Sequence, residues 1–166
     1  MRWFIRAKLI GCVFALLAGL GSSVVLAGEA HTHKEGLMAH GAWARLVPPV
    51  AKNSAVYMEI MNAGKVAATL ASASSPVAAV VEVHQTTMAD GVMKMSEVKG
   101  LQVPAEGSVT LKPGGFHIML INLKAPLQKG QEVPVTLTFS SGESLTVNAP
   151  VKAMQGKAMS HHHHHH

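Results

Sequence analysis

The chain reads as an all-β domain, an antiparallel sandwich or barrel. Three observations predict it. Short runs rich in Val, Ile, Thr and aromatic residues recur along residues 38–151. Turn signals built on Gly, Pro, Asn and Asp separate them, and no stretch carries a sustained helical period. Many short strands punctuated this way bury one face each and must pack against a second layer.

Taken in order, HGAWARLV is strand-like and PPVAKNS is a loop rich in breakers. SAVYMEIMNAG reads as a strand closed by an Asn-Ala-Gly turn, and Trp43 and Tyr57 are expected in the core. Met58 and Met61 are three apart, so a straight strand sends them to opposite faces. VAATLASASS is a strand and a Ser-rich turn. VAAVVEVHQTTM and VMKMSEV flank Asp90-Gly91, a strong two-residue hairpin signal. Leu101 to Pro104 is a short strand or connection, and GSVTLKPGG is a strand running into a Pro-Gly-Gly turn. FHIMLINL follows, then a loop through Pro126 and Gly130. EVPVTLTFS and ESLTVNAPV close the domain as a hairpin over Ser141-Gly142.

The ends carry other information. Residues 1–27 have the form of a signal peptide. Arg2, Arg6 and Lys8 precede an apolar run, and Val25-Leu26-Ala27 offers a cleavage site. Gly19, Gly21, Ser22 and Ser23 argue against a retained membrane span. Leu9-Ile10-Gly11-Cys12 has the outline of a lipoprotein box but follows Lys8 too closely to leave an apolar core ahead of it. A periplasmic location follows, with no membrane association after cleavage. Residues 28–37 are polar and read as a disordered leader, in which His31 and His33, with His40 beyond, are weak candidates for Cu(II). Residues 152–160 read as a flexible tail carrying Met154 and Met159. The six histidines at 161–166 read as an affinity tag.

Composition excludes several function classes. The formal charge is +5, and loss of Arg2, Arg6 and Lys8 with the leader leaves about +2. That is too little to hold nucleic acid or a membrane surface. With four Phe, two Trp and one Tyr there is no stacking platform for bases. Cys12 is the only cysteine, so the mature chain has no disulfide, thiolate nucleophile or CxxC pair. No nucleophile with a base, paired acid and base, or oxyanion device is evident, and no enzyme is expected.

The chemistry concentrates in residues 82–119. Ten residues separate His84 from Met95, twenty-one separate Met95 from His117, and one separates His117 from Met119. Thioether sulfur is soft and neutral and imidazole is intermediate, so two of each suit Cu(I) better than zinc, calcium or magnesium. His117 and Met119 alternate along a strand and project to one side. A two-residue turn at Asp90-Gly91 sets Ala89 opposite Val92, Met88 opposite Met93, Thr86 opposite Met95 and His84 opposite Glu97. His84 and Met95 are then diagonal neighbours on one face. Geometry alone leaves Met88 and Met93, on the same face, open as donors.

This stretch resembles the periplasmic copper chaperone family PCu(A)C. That family carries a His, ten residues, a Met, twenty-one residues, then His-x-Met, and the chain matches every position and spacing. VEVH, DGVMKM and LKPGGFHIML match in context, and the likeness spans roughly residues 38–150. The resemblance implies His84, Met95, His117 and Met119 as Cu(I) ligands, with Met88 and Met93 as pocket neighbours. It narrows the fold to a cupredoxin-like Greek-key β-sandwich. It implies a monomeric metallochaperone that delivers copper to a respiratory oxidase centre, with an oxidase subunit or a Sco-type protein as partner. A copper-buffering protein would use the same residues. A blue-copper electron carrier would need a Cys that the mature chain lacks.

Overall fold

The computed structural model describes residues 36–154. The segment read as a signal peptide at 1–27, the part of the expected leader with His31 and His33, Met159 and the histidines at 161–166 lie outside the described residues, while Leu37, read as the end of the leader, already belongs to the first strand. Among the described residues there are ten strands and no helix. They are β1 (Leu37–Arg45), β2 (Ser54–Asn62), β3 (Ala68–Ser74), β4 (Ala78–Ala89) and β5 (Val92–Glu97). They continue with β6 (Leu101–Val103), β7 (Gly107–Leu111), β8 (Phe116–Leu123), β9 (Glu132–Phe139) and β10 (Ser144–Lys152).

Hydrogen bonding orders them β5-β4-β8-β2-β1-β10-β9-β3-β6. One edge of β2 is shared: Ser54–Val56 pair with β8 and Met58–Asn62 pair with β7. The turn through Pro113 and Gly114 lets β7 and β8 divide that edge. Every pairing is antiparallel except β1 with β10, which run parallel at Ala44–Val151 and Arg45–Lys152. This short parallel join is where the hydrogen-bonded strand order passes from one layer to the other, giving the expected two-layer sandwich.

Alternation in sequence decides what each layer buries. In β9, Val133, Val135, Leu137 and Phe139 are buried while Glu132, Pro134, Thr136 and Thr138 face away. Opposite them, Val56, Ile60, Ile118 and Leu120 are fully buried from β2 and β8. Each such side chain contributes roughly 1.5–3 kcal/mol of burial. Met58 is buried in this core and Met61 is on the other face, as their spacing requires.

The aromatic pair departs from expectation. Tyr57 is buried and Trp43 half-buried, but neither belongs to the core between the layers. Ala44 and Val56 face that core, so their strand neighbours Trp43 and Tyr57 point to the outer face of the sheet. The register of β1 on β2 slips by one residue between His40 and Trp43, around Gly41 with φ +61°. A bulge changes which residues face inward. The two rings pack in a tilted pair, their planes 39° apart and their centroids 4.6 Å apart.

Candidate metal centre

The site forms on that outer face, where β5, β4, β8 and β2 lie side by side. In β8, Ile118 and Leu120 are fully buried in the core, so His117 and Met119 project outward. β4 pairs with β8 so that His84 lies directly opposite His117 and Glu82 opposite Met119. These four residues form a block two strands wide. On the far side of β4, the Asp90-Gly91 turn sets Thr86 opposite Met95 and His84 opposite Glu97, the register read from the sequence. Both turn residues have positive φ, +52° and +74°, as a type I′ turn demands. Met95 is therefore the diagonal neighbour of His84 on the same face.

Met95, His117 and Met119 line one cavity of about 310 Å³. Met93 and Met154 share its walls, with Tyr57 and Arg45. His84 stands next to His117, their ring centroids 5.9 Å apart. Two imidazoles flanking one ion through bonds of about 2 Å reach a separation of roughly this size. Tyr57 closes the other side of His117, at 6.3 Å between ring centroids.

Each imidazole has one nitrogen engaged. His117 donates from Nδ1 to the Gly115 carbonyl at 3.0 Å, which leaves Nε2 bare. That carbonyl also accepts from the Thr86 backbone N–H at 3.1 Å, so the turn before β8, the β4 backbone and the His117 ring are tied together. His84 is joined through Nε2 to Glu82 Oε2 at 2.7 Å. Its Nδ1 is buried and has no hydrogen-bond partner. Such an atom costs free energy unless something pairs with it. A metal ion is one such partner, and ligating histidines regularly donate their other ring N–H to a carboxylate or carbonyl.

Burial pushes the His117 imidazole below its ordinary pKa, and nearby His84 acts in the same direction. The Gly115 hydrogen bond opposes them. The ring is only 4% exposed, whereas Met95 is 53% exposed. The site is dry at His117, partly covered at His84 and open at the Met95 thioether. Among the described residues no group of three or more His, Cys, Asp or Glu is arranged to hold a metal.

The remaining candidates stand elsewhere. Met88 is 68% exposed near the hairpin tip and does not line the cavity. His40 is exposed on β1, in a separate depression with Glu59 and Lys112. A larger cavity, about 750 Å³, runs along Lys129–Gly130 and Pro150–Met154 and contains none of the four donors. Met154 lines the site through its place just after β10, which no local pattern signals. Glu82 was not singled out in the sequence, although a residue two before His84 on a strand shares its face.

Comparison with known proteins places this geometry in context. The family described as "Putative lipoprotein LpqE-like" matches residues 37–151. The "Putative lipoprotein Lxx21020" of Leifsonia xyli subsp. xyli is 37% identical over 149 residues, covering 87% of this chain and 89% of that protein. Among solved structures, Cu(I)-bound DR1885 of Deinococcus radiodurans matches with a TM-score of 0.60 and 35% identity, over 73% of this chain and 80% of that one. The copper-bound PCuAC domain of PmoF2 matches with a TM-score of 0.61 at 21% identity, over 71% of this chain and 93% of that domain. The last shares the fold, which is cupredoxin-like and all-β.

Proposed function

The chain belongs to the LpqE-like family of PCuAC type, and on that footing we propose that it is an envelope metallochaperone for Cu(I). His84 Nδ1, Met95, His117 Nε2 and Met119 hold one ion, with copper as cargo. The observation that carries the reading is the convergence of Met95, His117 and Met119 on one cavity, with His84 beside it and one nitrogen of each ring left bare. Two thioethers and two neutral imidazoles favour the monovalent ion. The related DR1885 has been solved with Cu(I) bound, which supports the choice.

Exposure favours transfer over storage. Met95 is half open to solvent while His117 is buried. An incoming thiolate or imidazole on an acceptor meets Met95 first and replaces its weak thioether bond. Met119 follows, and the imidazoles release last. Copper stays Cu(I) throughout, each new bond replacing one broken. The acceptor is a copper centre of a respiratory oxidase, reached directly or through a Sco-type protein, and the carrier acts as a periplasmic monomer. Residues 36–154 contain no cysteine, so the thiolate of a blue-copper electron carrier is missing.

The test is a Cu(I) competition titration against a calibrated chelator. It uses residues 28–160, which keep all ten strands and omit the six histidines. One tight equivalent is expected, lost when His117 and Met119 are both replaced by Ala, and given up to an acceptor bearing a cysteine pair. Equal weak binding by both proteins would overturn the copper reading.

A further inference from the structure

Four observations converge on Glu82. Its Oε2 lies 2.7 Å from His84 Nε2. It is two residues before His84 on β4, so both project from one face, and in the β4–β8 pairing it lies opposite Met119. His84 Nδ1 is buried without a partner. His117, directly across from His84, has the reverse arrangement, with Nδ1 on the Gly115 carbonyl.

We infer that Glu82 is a positioning residue that makes His84 an Nδ1 ligand, so that the facing imidazoles present opposite nitrogens to one ion. The inference rests on the Cu(I) reading of the site. A carboxylate accepts and does not donate, so the nitrogen facing it carries the proton in the neutral ring, which strips Nδ1 of its own. Two facing histidines in equivalent strand positions would otherwise offer like nitrogens. The differing partners, a carboxylate for one ring and a backbone carbonyl for the other, set them apart. Glu82 itself is a hard oxygen donor, ill suited to Cu(I), and its nearer oxygen is already engaged. Its effect passes through the ring, by fixing the rotamer and tautomer and raising the basicity of Nδ1.

The experiment is long-range proton–nitrogen NMR on 15N-histidine-labelled residues 28–160 at about pH 8, where an ordinary imidazole is neutral. In the metal-free protein His84 is expected with its proton on Nε2 and His117 with its proton on Nδ1. Added Cu(I) should move the resonances of His84 Nδ1 and His117 Nε2. Glu82→Ala should let the His84 tautomers mix and weaken Cu(I) binding about tenfold to a hundredfold. Glu82→Gln, whose amide oxygen still accepts, should keep the tautomer and lose less affinity. A wild-type His84 protonated on Nδ1 in a protein that binds Cu(I) tightly would overturn the role of Glu82 alone. So would a Glu82→Ala variant with unchanged tautomer and affinity. If that variant does not fold, the wild-type tautomer decides. A wild type that takes no Cu(I) would overturn the copper reading and the role of Glu82 with it.

Discussion

His117 divides its work between two nitrogens. Nδ1 ties the ring to the turn before β8, and Nε2 is left for a ligand. Replacing His117 with Ala should lower Cu(I) affinity by more than about a hundredfold, beyond what removing a ligand's hydrogen-bond partner costs. His31→Ala should leave affinity unchanged in the same titration. Burial also gives the metal-free protein a pH signature. A His117 pKa held below its ordinary 6.5 means the unfolded chain binds more protons than the folded one as pH falls. The stability carried by the neutral ring is present above that value and lost below it. The metal-free melting temperature should therefore fall between about pH 7 and 5, and His117→Gln should flatten the fall. An identical slope in the two proteins would contradict this. At this scale the grouping was legible, because residue spacing and strand alternation bring Met95, His117 and Met119 to one cavity with His84 beside it. The bare nitrogens were not, because they depend on which partner each ring meets across the sheet.

The β4–β5 hairpin is the element on which the site depends. Its register, fixed by two positive-φ residues, decides which face Met95 occupies. Strand side chains alternate, so a single inserted residue between Gly91 and Met95 should turn Met95 to the opposite face. Such an insertion should weaken Cu(I) binding as much as Met95→Ala does, with the melting temperature nearly unchanged. Gly91→Ala is expected to cost about 1–2 kcal/mol, the penalty of a side chain in the left-handed region, since nothing lies within 4 Å of the added methyl. Hairpin pairing could be read ahead of the structure because Asp-Gly fixes both turn type and loop length. The faces of Trp43 and Tyr57 could not. A bulge at Gly41 shifts β1 against β2, and aromatic character alone does not say which side of a sheet a ring covers.

The whole molecule supplies a rigid outer face and little else to the chemistry. Phe139 is 2% exposed in the core and far along the strand order from the donors. Phe139→Ala should cost about 3–5 kcal/mol and show in denaturant unfolding, while Cu(I) affinity of the protein that remains folded is kept. The sandwich class was legible from strand length and turn spacing. Its strand order was not, since pairings such as β1 with β10 join distant segments that carry no local mark of one another. That pairing also explains Met154. The parallel join at Ala44–Val151 is extended by the Leu46 N–H to the Lys152 carbonyl, and it brings the end of β10 to the cavity wall.

Copper K-edge X-ray absorption on the Cu(I)-loaded protein, freed of residues 1–27 and 161–166, tests the central claim most directly. The account predicts a mixed shell, with nitrogen at about 2.0 Å and sulfur at about 2.3 Å, close to the bonds these donors make to zinc. The sulfur contribution should shrink in Met119→Ala and the nitrogen contribution in His117→Ala. A shell of nitrogen alone, or a spectrum indifferent to both substitutions, would contradict it.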